Sequence, residues 1–179
     1  MKLKNILPLF IIGLFLASCS PRLTPFTQRL YEESRWTKAD LKKIQFYLSE
    51  DIKLKRSLSG GSSEIINGKI KIEDGREIEE VVIPKMTPGV FVFSPKEERF
   101  AISFEDSDAR FLMFGPNPKA GNRYVLLASE WKGRVGKVKY DDKTWRVDAN
   151  DAISNLLVDL KKVRKTTTSS RTAGGRKVD

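Results

Sequence analysis

The sequence predicts a mainly β protein: a small antiparallel β-sandwich or barrel with a short N-terminal helix and room for a C-terminal one. Three observations predict it. Apolar and polar residues alternate over many short runs, as in Ile44, Phe46, Leu48, Ile52, Leu54 and Leu58, the period a strand requires when one face is buried. Two dipeptides suited to tight hairpins, Asn67-Gly68 and Asp74-Gly75, stand close together and tolerate the positive φ values of two-residue loops. Eight or nine such runs recur at about ten-residue spacing, the rhythm of all-β sandwiches and barrels.

The chain opens with Lys2 and Lys4 ahead of an apolar run, Ile6 to Ala17, interrupted by Pro8 and Gly13. A bilayer span takes about 20 apolar residues, and this run is shorter. It suits the apolar part of a secretory signal, roughly 7–15 residues long and followed by small residues. Leu16-Ala17-Ser18-Cys19 then sets an aliphatic and two small residues before the only cysteine of the chain. That stretch resembles the lipobox of bacterial lipoproteins.

The resemblance covers about the first 20 residues and implies that Cys19 is a lipid attachment site. It implies a diacylglyceryl group on the sulfur, cleavage that removes residues 1–18 as a signal peptide, and an acyl group on the new amine. One acyl chain binds membranes marginally, whereas two or more anchor stably at about 0.8 kcal/mol per buried CH₂. Ser20 stands where many inner-membrane lipoproteins carry aspartate, and Ser20-Pro21-Arg22 has no acidic run of the kind linked to surface export. By the same resemblance the chain is expected on the periplasmic face of the outer membrane.

Residues 19–35 read as anchor and tether, with Pro21 and Pro25 in the first part and Leu30, Tyr31, Ser34 and Trp36 spaced as a helical turn. Residues 36–164 read as the single domain. Thr37 followed by Asp40 is a helix-start signal, predicting a short helix from Lys38 to about Lys43. The even-numbered apolar run follows as a strand, then the two turn dipeptides flanking Ile70 and Ile72, as in an antiparallel meander. Val90–Phe93, Phe100–Phe104, Phe111–Phe114, Tyr124–Ala128, Val135–Tyr140 and Trp145–Val147 continue the series, with Gly115 to Gly121 as a loop by its turn chemistry. The last element fits two periods. Ile153, Leu156, Leu157, Leu160 and Val163 make a helical face, while Leu156, Val158 and Leu160 make a strand.

The formal charge is +10 and is unevenly spread. Loss of Lys2 and Lys4 leaves +8, and Lys161 to Asp179 carries +6 of it through Lys161, Lys162, Arg164, Lys165, Arg171, Arg176 and Lys177. The domain proper is nearly balanced. Residues 165–179 read as a basic tail whose Thr, Ser and Gly content cannot bury enough to order itself. These seven cations are the candidate site for an anionic partner such as lipopolysaccharide or peptidoglycan. An exported lipoprotein meets no nucleic acid, so that partner class is set aside.

The chain has no histidine, which removes Ser-His-Asp and Cys-His catalysis and histidine metal ligation. With Cys19 lipidated, neither zinc sites of Cys and His nor a disulfide can form. Ser129-Glu-Trp-Lys132 and Lys143-Thr-Trp145 are similar to two penicillin-binding motifs, but tryptophan replaces the required glycine and S-D-N is missing. Glu105-Asp-Ser-Asp108 continues to Arg110, and a cation there spoils a calcium loop. Glu77, Glu79 and Glu80 read as a solvated strand edge. Trp36, Trp131 and Trp145 read as core. The expectation is therefore a non-enzymatic accessory subunit of an envelope complex, without metal or cofactor beyond the lipid on Cys19. The alternative is a binding module for an anionic cell-wall polymer, glycan or lipopolysaccharide.

Overall fold

The computed structural model describes residues 22–58, 69–73 and 76–167. Within them the chain forms thirteen strands: β1 (Leu23–Pro25), β2 (Gln45–Leu48), β3 (Ile52–Ser57), β4 (Lys69–Glu73), β5 (Arg76–Ile83), β6 (Pro88–Lys96) and β7 (Arg99–Ser103). They continue as β8 (Phe111–Asn117), β9 (Arg123–Leu126), β10 (Glu130–Lys132), β11 (Val135–Tyr140), β12 (Lys143–Asp148) and β13 (Leu156–Asp159). Helices α1 (Gln28–Ser34), α2 (Lys38–Leu41) and α3 (Leu160–Thr167) complete the fold. One sheet has the order β1-β13-β2-β6-β7-β8-β9 and the other β10-β11-β12-β3-β5-β4. Every pairing is antiparallel.

The larger sheet closes on itself around Phe26. Phe26 N–H donates to the Leu156 carbonyl at 2.8 Å, and the Phe26 carbonyl accepts from Tyr124 N–H at 3.0 Å. Thr27 then bridges Arg123, so the segment after β1 bonds β13 on one side and β9 on the other. Closure covers part of both edges, which otherwise invite pairing with other chains. Sandwich and barrel are thus combined: two layers, the larger one joined edge to edge.

The interior of that closure is aromatic. Phe26 stacks on Trp36 at 5.9 Å and meets Phe46 at 5.3 Å and Tyr124 at 4.8 Å edge-on. Phe100 joins Tyr31, Phe91 and Tyr124. Rings at these separations add about 0.5–1.5 kcal/mol per pair beyond their burial. Leu23–Thr27, expected as tether, is therefore structural, because Phe26 within it fills the centre of the sheet.

The even-numbered run becomes two strands in different sheets. Phe46 and Leu48 lie in β2, Ile52 and Leu54 in β3, and all four are buried. Ser49–Asp51 turn the chain between layers without breaking parity. The Thr37 signal is realised as a capping box: Asp40 N–H donates to Thr37 Oγ1, and Thr37 N–H to the Asp40 carboxylate. The last element resolves as strand then helix. Leu156 and Val158 point inward in β13, and the Asp159 carboxylate accepts from Lys161 N–H at 3.0 Å to start α3.

Other expectations are corrected. The loop expected from Gly115 is shorter, since β8 runs to Asn117, and Pro118–Ala120 form a 3-10 turn ended by Gly121 in the left-handed region. Glu79 and Glu80 are buried rather than solvated, and β5 lies between β3 and β4 instead of at an edge. Arg56 explains Glu79: the pair is 2.5 Å apart, with the guanidinium 5.4 Å from the Trp145 ring centre. Asn67-Gly68 and Asp74-Gly75 lie outside the described residues, although β4 and β5 pair up to Glu73 and Arg76.

Candidate functional site

The expected cationic site is only partly within the described residues. Lys161 and Lys162 are exposed on α3, while Val163 between this turn and the next is buried. Arg164 and Lys165 belong to the same helix, so the basic segment begins as ordered structure. Arg171, Arg176 and Lys177, and also Cys19, lie outside the described residues.

A second basic surface covers the outer face of the smaller sheet. Register aligns Glu130, Lys137, Arg146, Lys55 and Glu80 in one row across five strands. Its cations are partnered: Lys137 with Glu130 at 2.8 Å, Lys55 with Glu80 at 4.0 Å, and Arg146 with the Ser57 hydroxyl at 3.0 Å. Beside them a shallow concavity of about 420 Å³ includes Lys53, Asp148 and Asp151. Burial pushes the Asp151 carboxyl above its ordinary range, against the pull of Lys53. The row is charge-laced, exposed at Glu130 and Lys137 and buried at Glu80, with its charges balanced locally.

A third arrangement differs. At the seam between the sheets a groove of about 290 Å³ is floored by Phe111, Met113, Leu127 and Val138 and rimmed by Lys96, Arg99 and Lys139. Two irregularities in β6 make it. Phe91 pairs with Ile102, but Phe93 pairs with Ala101 and Lys96 with Arg99, so β6 carries extra residues in two places. Such bulges re-aim the side chains beyond them. Phe93, which simple alternation would place inside with Phe91, is instead 40% exposed and packs edge-on against Phe111 at 4.9 Å. At the other end Trp131, 45% exposed, lies close to Ala128, since a side chain added at Gly136 would meet both. Trp131 is thus surface, whereas Trp36 and Trp145 are core.

The remaining sequence candidates have structural duties. The Ser129 hydroxyl donates to the Lys137 carbonyl at 3.1 Å, and Lys132 is exposed on β10. The Ser103 hydroxyl lies 2.9 Å from the carbonyls of Glu105, Ser107 and Arg110, clasping the turn that holds Glu105-Asp-Ser-Asp108. From that turn Glu105 accepts from Arg110 at 2.7 Å and from the Tyr140 hydroxyl, while Arg110 lies 3.5 Å from Asp141. The cavity there is about 20 Å³, room for one water. Among the described residues no three acidic or thiol side chains converge as a metal site, and no helix is long and apolar enough to cross a membrane.

Sequence reading missed the groove because its residues come from five separate segments. One local signal was present: Val90 to Phe93 is apolar without alternation and is followed by Ser94-Pro95-Lys96, where a regular strand loses its period. No known protein family, curated protein or solved structure matches the chain.

Proposed function

We propose that the chain is a lipoprotein of the outer membrane, anchored through Cys19 on the periplasmic face, whose β domain is a non-enzymatic accessory subunit of an envelope complex. The observation that carries this reading is the Leu16-Ala17-Ser18-Cys19 stretch, and the pairing of Leu23 with Asp159 fits it. A lipid on Cys19 would lie within about 14 Å of Leu23, since a chain extends at most about 3.6 Å per residue. Asp159 starts α3, so Lys161 and Lys162 would face the anchored membrane from the same corner of the domain. Basic residues at an anionic surface each add about 1 kcal/mol, a second attachment beside the acyl chains.

Growth with labelled palmitate tests the anchor. The wild-type chain takes up label and fractionates with outer membranes, and Cys19→Ala abolishes both. Mild detergent extraction tests the accessory role: a stoichiometric partner co-purifies, and a chain that runs alone ends that part of the reading.

A second reading, a binding module for an anionic cell-wall polymer or lipopolysaccharide, is favoured by the exposed pair Lys161 and Lys162. It requires salt-sensitive pull-down by purified peptidoglycan or lipopolysaccharide, weakened by K161E/K162E. Absence of binding at low salt removes it.

A further inference from the structure

We infer that the groove at the seam between the sheets is a binding site for one anionic amphiphile, an unbranched acyl chain ending in a carboxylate or phosphate. Three observations converge on that chemistry. Lys96 and Arg99 are direct cross-strand partners, and like charges placed opposite each other destabilise a sheet. Lys139 adds a third cation from the other sheet, and among the described residues no carboxylate forms an ion pair with any of the three. The charge-laced row on the neighbouring face shows the contrast, because there acids stand beside the cations. A bound anion supplies what the rim lacks.

The floor decides the rest of the ligand. Phe111, Met113, Leu127 and Val138 offer no hydrogen bond, and the Ser129 hydroxyl at the margin is committed to the Lys137 carbonyl. Both strands along the groove are internal, β8 between β7 and β9 and β11 between β10 and β12. Among the described residues, neither of these two strands offers a free edge along the groove to a peptide main chain, which rules against strand addition onto them. The body of the ligand is therefore apolar and asks for no polar partner, as an acyl chain does. Met113 is a side chain that adapts to irregular apolar ligands. A volume of about 290 Å³ sits at the small end of ligand pockets, about 300–1,000 Å³, so it takes one chain and not a multi-chain lipid.

The test uses the chain from Cys19 to Asp179 with Cys19→Ser, which holds every described strand and the whole described core and carries no lipid. This proposal and the anchor therefore succeed or fail separately. Laurate and lauryl phosphate, kept below micelle formation, are titrated by calorimetry and by tryptophan emission, with dodecyl maltoside and inorganic phosphate alongside. One-to-one saturation is expected with laurate, lauryl phosphate or both, the two arms identifying the head group. The neutral detergent and inorganic phosphate bind at least tenfold more weakly. R99E weakens binding at least tenfold while the urea midpoint holds or rises, because a carboxylate then faces Lys96. Met113→Glu weakens binding independently of the rim. The proposal is overturned if neither anionic ligand saturates, if the neutral detergent or bare phosphate binds as well, or if R99E and Met113→Glu both fold normally and bind like wild type.

Discussion

Phe26 and Tyr124 meet edge-on at 4.8 Å and also share a backbone hydrogen bond of 3.0 Å, so one pair both fills the closed sheet and seals it. Both are fully buried. Phe26→Ala is expected to cost about 3–5 kcal/mol, the range for deleting a buried aromatic. Phe93→Ala, on the exposed side of β6, should cost about 1 kcal/mol or less. Urea unfolding of both variants checks this. Similar losses would mean that the segment after β1 is not part of the core.

What the sequence disclosed follows from what period and turn chemistry encode. Alternation identified which side of a strand is buried, and Phe46, Leu48, Ile52 and Leu54 are indeed inside. It did not reveal that the run divides between two sheets, because parity is unchanged across Ser49–Asp51. Closure by Phe26 was not legible either: its partners, Tyr124 and Leu156, are 98 and 130 residues away. Glu79 looked solvated because its neutralising partner, Arg56, lies on another strand. The groove has the same character, since bulges reverse a period locally and sequence period assumes none.

The two most buried phenols give a pH test. Burial raises Tyr124 and Tyr140 above the ordinary value of 10.0, and Glu105, which accepts the Tyr140 hydroxyl, raises that group further. Raised values favour the neutral form in the folded state. Their stabilisation is full below the unfolded value and is lost as pH climbs from there toward the folded value. Absorbance at 295 nm should therefore show both phenols titrating only together with unfolding. Folded protein in which all four tyrosines ionise near pH 10 would contradict this.

Arg56 and Glu79 supply a charge test of the interior. Glu79 is 4% and Arg56 26% exposed at the side chain, so the pair is drier than a surface ion pair but wetter than a sealed one. Arg56→Met strands the carboxylate and also removes the cation from the Trp145 face. A loss of about 2–3 kcal/mol is expected, just below the range for fully buried pairs. Arg56→Met combined with Glu79→Leu should recover most of it, because no lone charge then remains. If the double variant is as unstable as the sum of the singles, the cost lies in packing rather than in charge.

The β11–β12 hairpin turns through Asp141 and Asp142, both at positive φ, 52° and 55°. Tyr140 and Lys143 pair on either side, so this is a two-residue loop of the kind that needs the left-handed region at both central positions. Asp141 also faces Arg110 at 3.5 Å, tying the turn to the other sheet, whereas Asp142 is exposed and has only its backbone duty. Asp142→Val puts a β-branched residue in that region and should cost about 1–2 kcal/mol. Asp142→Gly should stay within about 0.5 kcal/mol of wild type, its relief of strain offset by the greater freedom of the unfolded chain. Hydrogen exchange localises the effect: amides of Lys139 and Thr144, paired beside the turn, should lose protection in the valine variant first. Uniform loss across both sheets would show instead that the hairpin unfolds only with the whole domain.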